Sequence, residues 1–507
     1  MTIKELLVMK LQKPLTSTQT ATAADELIDM EQAIALLKTT RPTFYRWLRA
    51  GKIKGMKAGR QWRFYRADVD RFIKGQQPRI ELVADIHPLI DALATKLAAV
   101  GGKTNGADAG DPVAKVVNLM IQLGVAMRAS DFHLESQTDG RVSQLHLRYR
   151  VDGVLHTAVT ADVRLLPAII EQWKRLGHCD VNVKDVPQDG RIELDLDASQ
   201  LDLRVCVIPT VLGENLTARF LRQGEIQRNL DQLPYSPQHR AILRRHLQAP
   251  SGIVFCTGPT GSGKTTTLYA CLQEVIKPGA KVMSVEDPVE YLLPGMTQMQ
   301  INLNFGLTFA RALRSFLRSD PDVIMIGEMR DLDTLQIAAQ AALTGHLVLT
   351  TLHTNSAASA LTRIMDIGLP PFLVADTVKL VVAQRLVRVL CRDCSVAVEP
   401  TTSQLAQAQV LAQQGGLDWT TLPHKFRKPV GCAKCAQTGY RGRTTLTEML
   451  EVTPAVGAAL RRGARVEELH ALAIKDDMTT ICADGIVKAA AGATTLDEVY
   501  RYSPMPT

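Results

Sequence analysis

The chain has 507 residues, which is enough for about three domains of ordinary size. Hydrophobic residues make up 46% of the sequence and charged residues 22%, and this balance excludes a disordered or fibrous protein. Lys and Arg (59) exceed Asp and Glu (51), so the formal net charge is +8. The longest stretch without a charged residue, 334–362, is rich in Gln, Thr, His and Asn, so we expect no membrane-spanning helix.

Two features indicate a reducing compartment. Charged residues interrupt the N-terminal sequence MTIKELLVMKLQKP, which is unlike a secretory signal. Nine cysteines in a chain of this length do not indicate a disulfide framework, and four of them form two CxxC pairs. We therefore expect a cytoplasmic protein.

The sequence pattern predicts five segments. They are, in chain order, a Thr- and Ala-rich flexible tail (1–24), a compact basic block (25–77), a linker that contains one amphipathic helix and ends in Gly and Asp (78–111), an α+β domain (112–230) and an α/β domain (231–507). In the α+β domain, a helix precedes segments that alternate apolar and polar residues, which is typical of antiparallel strands. In the α/β domain, short runs that are apolar throughout alternate with helical patterns, which indicates parallel strands buried on both faces.

The basic block has the pattern of two helices followed by a hairpin. Met30 begins the first helical pattern, Thr40 is a candidate N-cap for the second, and 52–65 has the pattern of a short wing. Ten basic residues and no acidic residue lie in 38–66. The block resembles the excisionase and MerR-like winged helix-turn-helix proteins. In that family the residues toward DNA would be Thr43, Tyr45, Arg46, Arg60 and Arg63.

Two kinds of partner suit residues 38–66. A cluster of basic residues favours contacts with DNA phosphates. The same surface would also suit an acidic protein partner or an anionic second messenger, and the sequence does not decide between them.

The strongest motif in the chain is a phosphate-binding loop. Residues 258–265 fit the pattern GxxxxGK[ST], between the apolar run GIVFC and a helical pattern. Backbone N–H groups of such a loop surround phosphate oxygens, the lysine reaches the β- and γ-phosphates, and the hydroxyl that follows binds Mg²⁺. The candidate nucleotide-binding residues are Gly258, Pro259, Thr260, Gly261, Ser262, Gly263, Lys264, Thr265 and Thr266.

Acidic residues and histidines follow three of the later apolar runs. One run ends in the sequence EDPVE, with Glu290 as its last acid, and another is followed by Glu328. Carboxylates at the carboxyl ends of strands in a nucleotide-binding sheet face the ligand, where they orient Mg²⁺ or polarise the attacking water. His346 and His353 flank a third run and could sense the γ-phosphate, although a single histidine is more often structural.

Four cysteines have the spacing of a metal site. They form two CxxC pairs, and a Cys₄ site of this kind holds Zn²⁺ tetrahedrally with no open position, so we expect a structural role. The ligands would be Cys391, Cys394, Cys432 and Cys435. Reduced core cysteines or a redox pair are the alternatives.

From about 112 to 505, the chain resembles the ATPases of type II secretion and type IV pilus assembly. The phosphate loop, the two acidic blocks and the histidine block occur in that family's order, and sequences such as LDLRVCVIPTVLGE extend the resemblance upstream. The resemblance implies a PAS-like domain that packs on a RecA-like P-loop NTPase domain carrying a zinc insertion (391–435) and C-terminal helices. It also implies a ring of six subunits.

The resemblance assigns roles to individual residues. Lys264 and Thr265 would bind the phosphates and Mg²⁺, Glu290 would be the general base, and Glu328 would be the Walker B carboxylate. His346 and His353 would connect nucleotide state to domain movement. Arg204 and Arg219 match a pair of arginine fingers that approach the γ-phosphate, whereas their spacing alone would also fit strand arginines in surface ion pairs.

The function that follows is a Mg²⁺-dependent ATPase of the cytoplasmic face of the inner membrane. Its homo-hexamer would act with a platform membrane protein and a cytoplasmic adaptor to assemble a pseudopilus or pilus. One alternative is a DNA-binding regulator that is controlled by nucleotide, and another is the motor of a competence pilus that takes up DNA.

Overall fold

The computed structural model describes residues 27–49, 52–58, 61–73, 82–102, 110–138, 140, 142–196, 199–222 and 228–502. The predicted tail, 1–24, lies outside these residues. Contacts divide the chain into two units, one formed by Met1–Val151 with Leu155–Leu221 and the other by Arg222–Thr507 with the turn Asp152–Val154. No helix in the described ranges is both long enough and apolar enough to cross a membrane.

The first unit begins with a small helical subdomain. Its elements are β1 (Leu27–Asp29), α1 (Met30–Leu36), α2 (Arg41–Arg49), β2 (Met56–Ala58), β3 (Gln61–Tyr65) and α3 (Arg66–Ile73). Strand β3 pairs antiparallel with both β1 and β2. Asp29 forms a capping box with Gln32 at the start of α1. Phe44 and Phe64 are fully buried and meet edge to face, with ring centroids 5.0 Å apart, so the second helix and the wing share one core.

The rest of the first unit is an antiparallel sheet with helices on one side. The elements are α4 (Leu82–Ala99), α5 (Pro112–Ala126), β4 (Asp131–Thr138), β5 (Ser143–Val151), β6 (Val154–Asp162), α6 (Leu166–Leu176), β7 (Gln188–Leu196), β8 (Ser199–Thr210) and β9 (Gly213–Arg222). The strand order is β6-β5-β4-β9-β8-β7. Apolar residues of the three helices pack against one face of this sheet, and alternating polar residues line the other face.

Helix α4 corrects part of the linker prediction. The sequence pattern predicts that 78–111 is a linker that contains one amphipathic helix. The structure shows an 18-residue helix whose apolar side chains belong to the core of the α+β domain. Ile86 and Leu93 of this helix are fully buried. Therefore 82–99 is part of a folded domain, because the i, i+3, i+4, i+7 spacing of its apolar residues is that of a packed helix face.

The second unit is a three-layer α/β domain. It begins with α7 (Pro237–Leu247), β10 (Gly252–Thr257), α8 (Lys264–Val275), β11 (Val282–Glu286), β12 (Thr297–Gln300), α9 (Phe309–Phe316), β13 (Val323–Ile326), α10 (Leu332–Leu343), β14 (Leu347–Leu352), α11 (Ala357–Ile367), α12 (Pro371–Thr377) and β15 (Val378–Leu390). Strands β10, β11, β13 and β14 are the predicted apolar runs. Each of them is buried along its whole length, and they pair in parallel, which confirms the prediction.

The C-terminal part closes one edge of this sheet. Its elements are β16 (Val396–Ala397), α13 (Thr402–Gln414), β17 (Arg427–Lys428), β18 (Tyr440–Glu451), α14 (Pro454–Arg461), α15 (Val466–Lys475), α16 (Ile481–Ala490) and α17 (Leu496–Tyr500). The strand order of the large sheet is β12-β11-β13-β14-β10-β15-β18, and only β18 runs antiparallel to its neighbour. Small helices follow β18, as the sequence predicts.

Candidate nucleotide-binding and metal sites

The phosphate loop connects the end of β10 to the start of α8. Its glycines adopt conformations that other residues rarely reach, with φ of +151° at Gly258 and +89° at Gly263. A Cβ at Gly258 would lie 2.5 Å from the carbonyl oxygen of Gln384. Gln384 also stabilises the loop, because its side-chain amide donates to the Ser262 carbonyl at 2.8 Å.

Lys264 is folded against its own loop. Its Nζ donates to the carbonyls of Gly258 and Pro259 at 2.9 and 3.0 Å, and the residue is 9% exposed. Burial lowers the pKa of Lys264, and Glu328 acts in the opposite direction. Phosphate oxygens could replace the two carbonyl acceptors, so the site fits the terminal phosphates of a nucleotide.

The two acids of the EDPVE block that flank Asp287 differ in their surroundings. Glu286 is buried at the end of β11 and accepts hydrogen bonds from Tyr269, from Ser284 at 2.6 Å and from Gln298 at 3.2 Å. Its hydrogen-bonding capacity is used inside the protein. Both glutamates line the same cleft as Lys264, but Glu290 lies exposed in the loop after β11. Glu290 is therefore the better placed of the two to meet water.

Glu328 follows β13 and contacts two cationic or titratable side chains. Its carboxylate lies 2.7 Å from Arg330 Nη2 and 3.5 Å from His353 Nε2. Burial lowers the pKa of His353, Lys264 lowers it further, and Glu328 raises it. His353 thus joins Glu328 to the end of β14.

His346 lies elsewhere. It precedes the first residue of β14, and its Nδ1 lies 2.8 Å from the carbonyl of Ala341. The six residues of β14 separate it from His353, a distance of about 20 Å in an extended strand. His353 therefore lines the same cleft as Lys264, whereas His346 lies at the opposite end of the strand, and the sensing role of both histidines stays a prediction.

These residues line one cleft of about 530 Å³, which we call the phosphate cleft. Its predicted members are Thr260, Gly261, Gly263, Lys264, Thr265, Thr266, Glu290, Glu328 and His353. Three further residues were not predicted from the sequence: Arg330 and Arg443, which also line the cleft, and Gln384, which supports the loop. Arg330 stands two residues after Glu328 in the sequence GEMRD, and this short spacing is the one available signal for it. The exposed Thr265 hydroxyl and the nearby carboxylates are oxygen ligands of the type that Mg²⁺ prefers.

Arg204 and Arg219 lie together in the first unit, on the polar face of the six-stranded sheet. Both line a cleft of about 680 Å³, which we call the arginine cleft. Arg219 Nε donates to Asp131 Oδ1 at 2.9 Å, and the Arg219 side chain is 63% exposed. The alternative of a strand arginine in an ion pair therefore describes Arg219 in part, although most of its guanidinium faces solvent.

The four cysteines form a cluster beside β15 and β18. All four Sγ atoms lie within 4.8 Å of one another, and three measured pairs are 3.7, 3.8 and 3.9 Å apart. A tetrahedral zinc site with Zn–S bonds of about 2.3 Å requires sulfur separations of about 3.8 Å, so the cluster fits zinc. Backbone N–H groups of Cys432 and Gly439 donate to Cys435 Sγ at 3.2 Å. Burial favours the thiol, but these donors lower the pKa of Cys435 to about 7.

The basic surface of the helical subdomain is partly described. In α2, Phe44 is buried while Arg41, Tyr45, Arg46 and Arg49 are exposed. Thr43 is half-buried, and Arg63 donates to Gln61 at 3.2 Å. Arg60 lies outside the described residues.

Comparisons with known proteins agree with this geometry. The family described as "Type II/IV secretion system protein" matches residues 106–501, and a "Helix-turn-helix domain" matches residues 27–77. The chain belongs to the secretion family. "Type II secretion system protein E" of Aeromonas hydrophila is 42% identical over 397 residues, which cover 78% of this chain and 76% of the relative. "Type IV pilus assembly ATPase PilB" of Myxococcus xanthus is 38% identical over 438 residues, covering 86% and 75%.

A solved structure supports the fold of this secretion ATPase. The ATPase DotB of Yersinia pseudotuberculosis superposes with a TM-score of 0.56 at 19% identity, covering 77% of this chain and 93% of DotB. Family and fold together confirm that the chain is an ATPase with a P-loop α/β core and an N-terminal helix-turn-helix domain. The Cys₄ cluster can hold a metal ion.

Proposed function

We propose that this ATPase is a motor that converts ATP hydrolysis into domain movement and so drives pseudopilus or pilus assembly. The observation that carries the proposal is the phosphate cleft, which collects Lys264, Thr265, Glu290 and Glu328 from separate motifs. The names of the Aeromonas and Myxococcus relatives support a role in type II secretion or type IV pilus assembly.

Each residue of the phosphate cleft has a distinct task in this proposal. Lys264 exchanges its two carbonyl acceptors for phosphate oxygens, and Glu290 accepts a proton from the attacking water. Thr265 and Glu328 would hold Mg²⁺, which would neutralise charge on the phosphates. His353 reports the state of the site through Glu328. The roles of Arg204 and Arg219 as arginine fingers rest on the family resemblance and on their shared cleft.

The assembly around the motor is proposed from the family. Six copies would form a ring at the cytoplasmic face of the inner membrane, and a platform membrane protein and a cytoplasmic adaptor would connect it to the machine. The names of the relatives fit type II secretion and type IV pilus assembly equally well, and a competence pilus motor shares the same core.

The test of the motor is Lys264→Ala in the full chain. Loss of the phosphate contacts should abolish ATP hydrolysis and also secretion or piliation in a complementation assay. Lys277→Ala, at an exposed position beyond the end of α8, is the control and should retain both activities. Turnover of Lys264→Ala at the wild-type rate would contradict the assignment of the loop.

We also propose that Zn²⁺ is the metal of the Cys₄ cluster and that it has a structural role, since four thiolates leave no position for substrate. The purified protein should contain about one zinc per chain, and Cys432→Ser should lose the metal and lower the Tm. Cys482→Ser, outside the cluster, is the control. A metal-free protein with an unchanged Tm would contradict the proposal.

The helix-turn-helix domain supports DNA binding as a second candidate function. The observation that favours it is the exposed basic row Arg41, Arg46 and Arg49 on α2. A gel-shift series at increasing salt tests it, with Arg46→Ala as the variant and Lys96→Ala on α4 as the control. Nanomolar, sequence-specific binding at physiological salt favours a regulator. Weak binding that disappears with salt and ignores sequence leaves an acidic protein partner or an anionic second messenger as the ligand class.

A further inference from the structure

A third arginine lies in the arginine cleft beside the two that the family resemblance identifies. Arg191 of β7 stands directly opposite Arg204 of β8, and both line the cleft together with Arg219 of β9. Alternation along the strands puts these side chains on the polar face, since Ile192 and Leu203, their neighbours, are buried in the core. Three neighbouring strands therefore bring three guanidinium groups to one concave surface.

Arg191 and Arg219 are held in the same way. Asp202 accepts two hydrogen bonds from Arg191 Nε at 3.0 Å and lies 2.7 Å from Nη2, and Asp131 accepts from Arg219 Nε at 2.9 Å. In both pairs the aspartate lies deep, with side chains 11% and 12% exposed, whereas the arginines are 60% and 63% exposed. In each pair the carboxylate is the buried partner and the guanidinium is the solvent-exposed partner.

This arrangement orients the arginines toward an external anion. A carboxylate that engages Nε leaves N–H groups on the terminal nitrogens directed away from the protein. Arg191 Nη2 also lies 3.3 Å from the exposed Glu193, so Nη1 is the outward donor. Asp131 is itself supported, since Ser130 Oγ donates to Asp131 Oδ2 at 2.8 Å. Planar, pre-oriented guanidinium groups suit the oxygens of a phosphate chain.

We propose that Arg191 is a third arginine that contacts the terminal phosphate of ATP mainly in the transition state of hydrolysis, and that Asp202 and Asp131 are positioning residues for Arg191 and Arg219. The proposal rests on the proposed roles of Arg204 and Arg219. Asp202 acts through Arg191, so its removal should matter only while Arg191 is present. The same relation should hold between Asp131 and Arg219.

The test is a set of double-mutant cycles on the full-length ATPase. Arg191→Ala should lower kcat at least tenfold and change the Kd for a non-hydrolysable ATP analogue less than threefold. Asp202→Asn should lower kcat about fivefold in the wild-type background and should have no further effect in Arg191→Ala. Asp202→Glu should restore part of the loss. In the second cycle, Asp131→Asn should lower kcat in the wild-type background and should have no further effect in Arg219→Ala.

Glu135→Gln is the matched control. Glu135 lies on β4, two positions from His133 on the same polar face, and it pairs with Arg148 outside the cleft. This variant should stay within twofold of wild-type kcat. Circular dichroism confirms that each variant is folded. If Asp202→Asn is unstable, Arg191→Lys tests the role of Arg191 instead, because it keeps the charge without the planar fork. Its kcat should lie between those of wild type and Arg191→Ala.

The outcomes separate the two proposals. Wild-type kcat in Arg191→Ala, with losses in Arg204→Ala and Arg219→Ala, would overturn the third arginine and leave the proposed function intact. Wild-type kcat in all three would overturn the arginine-finger roles as well. An effect of Asp202→Asn that persists in Arg191→Ala, or a higher kcat in Asp202→Asn, would overturn the positioning role.

Discussion

The phosphate cleft and the arginine cleft both present positive groups, but they are built in different ways. The phosphate cleft lies at the carboxyl edge of the parallel strands, where a loop supplies backbone N–H groups and the proposed catalytic side chains follow strand ends. The arginine cleft lies on the polar face of an antiparallel sheet, and residues of four strands line it together with Gly177 and His178, which follow α6.

The two clefts therefore depend on different interactions for their shape. In the phosphate cleft, shape depends on glycine conformations and on one buried glutamine beneath the loop. In the arginine cleft, shape depends on ion pairs between a deep carboxylate and an exposed guanidinium. Substitution of the loop glycines should therefore disrupt the phosphate cleft, and substitution of the paired charged residues should disrupt the arginine cleft.

The first comparison is between the two glutamates of the EDPVE block, and after the loss of activity in Lys264→Ala it should give the largest change in kcat. Glu290→Gln should lower kcat about 10²- to 10³-fold with little change in KM, because a general base contributes in this range. Steady-state ATPase assays over a series of ATP concentrations measure it. Glu286→Gln is the comparison. Because Glu286 accepts hydrogen bonds from Tyr269 and Ser284, this variant should lower the Tm and should lower kcat less than Glu290→Gln does. A kcat of Glu290→Gln within threefold of wild type would exclude the proposed base.

A glycine substitution should produce the next largest effect. In Gly258→Ala, the new Cβ would meet the carbonyl oxygen of Gln384 at 2.5 Å, and φ of +151° disfavours any side chain. Strain of about 1–3 kcal/mol is typical of such positions, and we expect the KM for ATP to rise about tenfold. Gly279→Ala is the control, since its φ of +91° is also positive but no atom lies near its Cβ position. Equal KM values for the two variants would show that clash at the loop is unimportant.

The same contrast explains how much the sequence could predict. The phosphate loop, the acidic strand ends and the CxxC pairs are contiguous motifs, and the parallel topology brings them together at one edge, so their residues and the α/β fold were predictable. Arg191 was not, because its place beside Arg204 depends on the register of β7 against β8. Gln384 was missed for a related reason, since a buried glutamine in an apolar strand carries no local signal of the loop that it supports.

Two other regions show where a sequence pattern stops short. The pattern put His346 and His353 at opposite ends of one buried run, but it did not indicate that His353 is the one of the two that lines the phosphate cleft. Helix α4 was recognised as amphipathic, yet the Gly- and Asp-rich sequence after it suggested a connection. Sequence pattern predicts that a helix has an apolar face and does not indicate which core that face joins.

The smallest effect that we expect concerns His133, on the same polar face as the arginine cleft. Burial lowers the pKa of His133, and Arg150 and Arg148 lower it while Glu135 and Asp131 raise it. Because the folded-state pKa lies below the unfolded value of 6.5, the unfolded chain takes up the proton first as the pH falls. The stabilisation is fully present above pH 6.5 and is lost at lower pH.

His133→Gln cannot take up this proton, so its Tm should fall less than that of the wild type between pH 7.5 and pH 5.5. One proton changes the free energy of unfolding by at most about 1.4 kcal/mol per pH unit, and a half-buried side chain should contribute less. His424→Gln, at an exposed position, is the control and should keep the wild-type pH dependence. If both variants follow the wild type, the charges of the polar face are screened by solvent, and the arginine cleft would then depend on hydrogen-bond geometry more than on its local field.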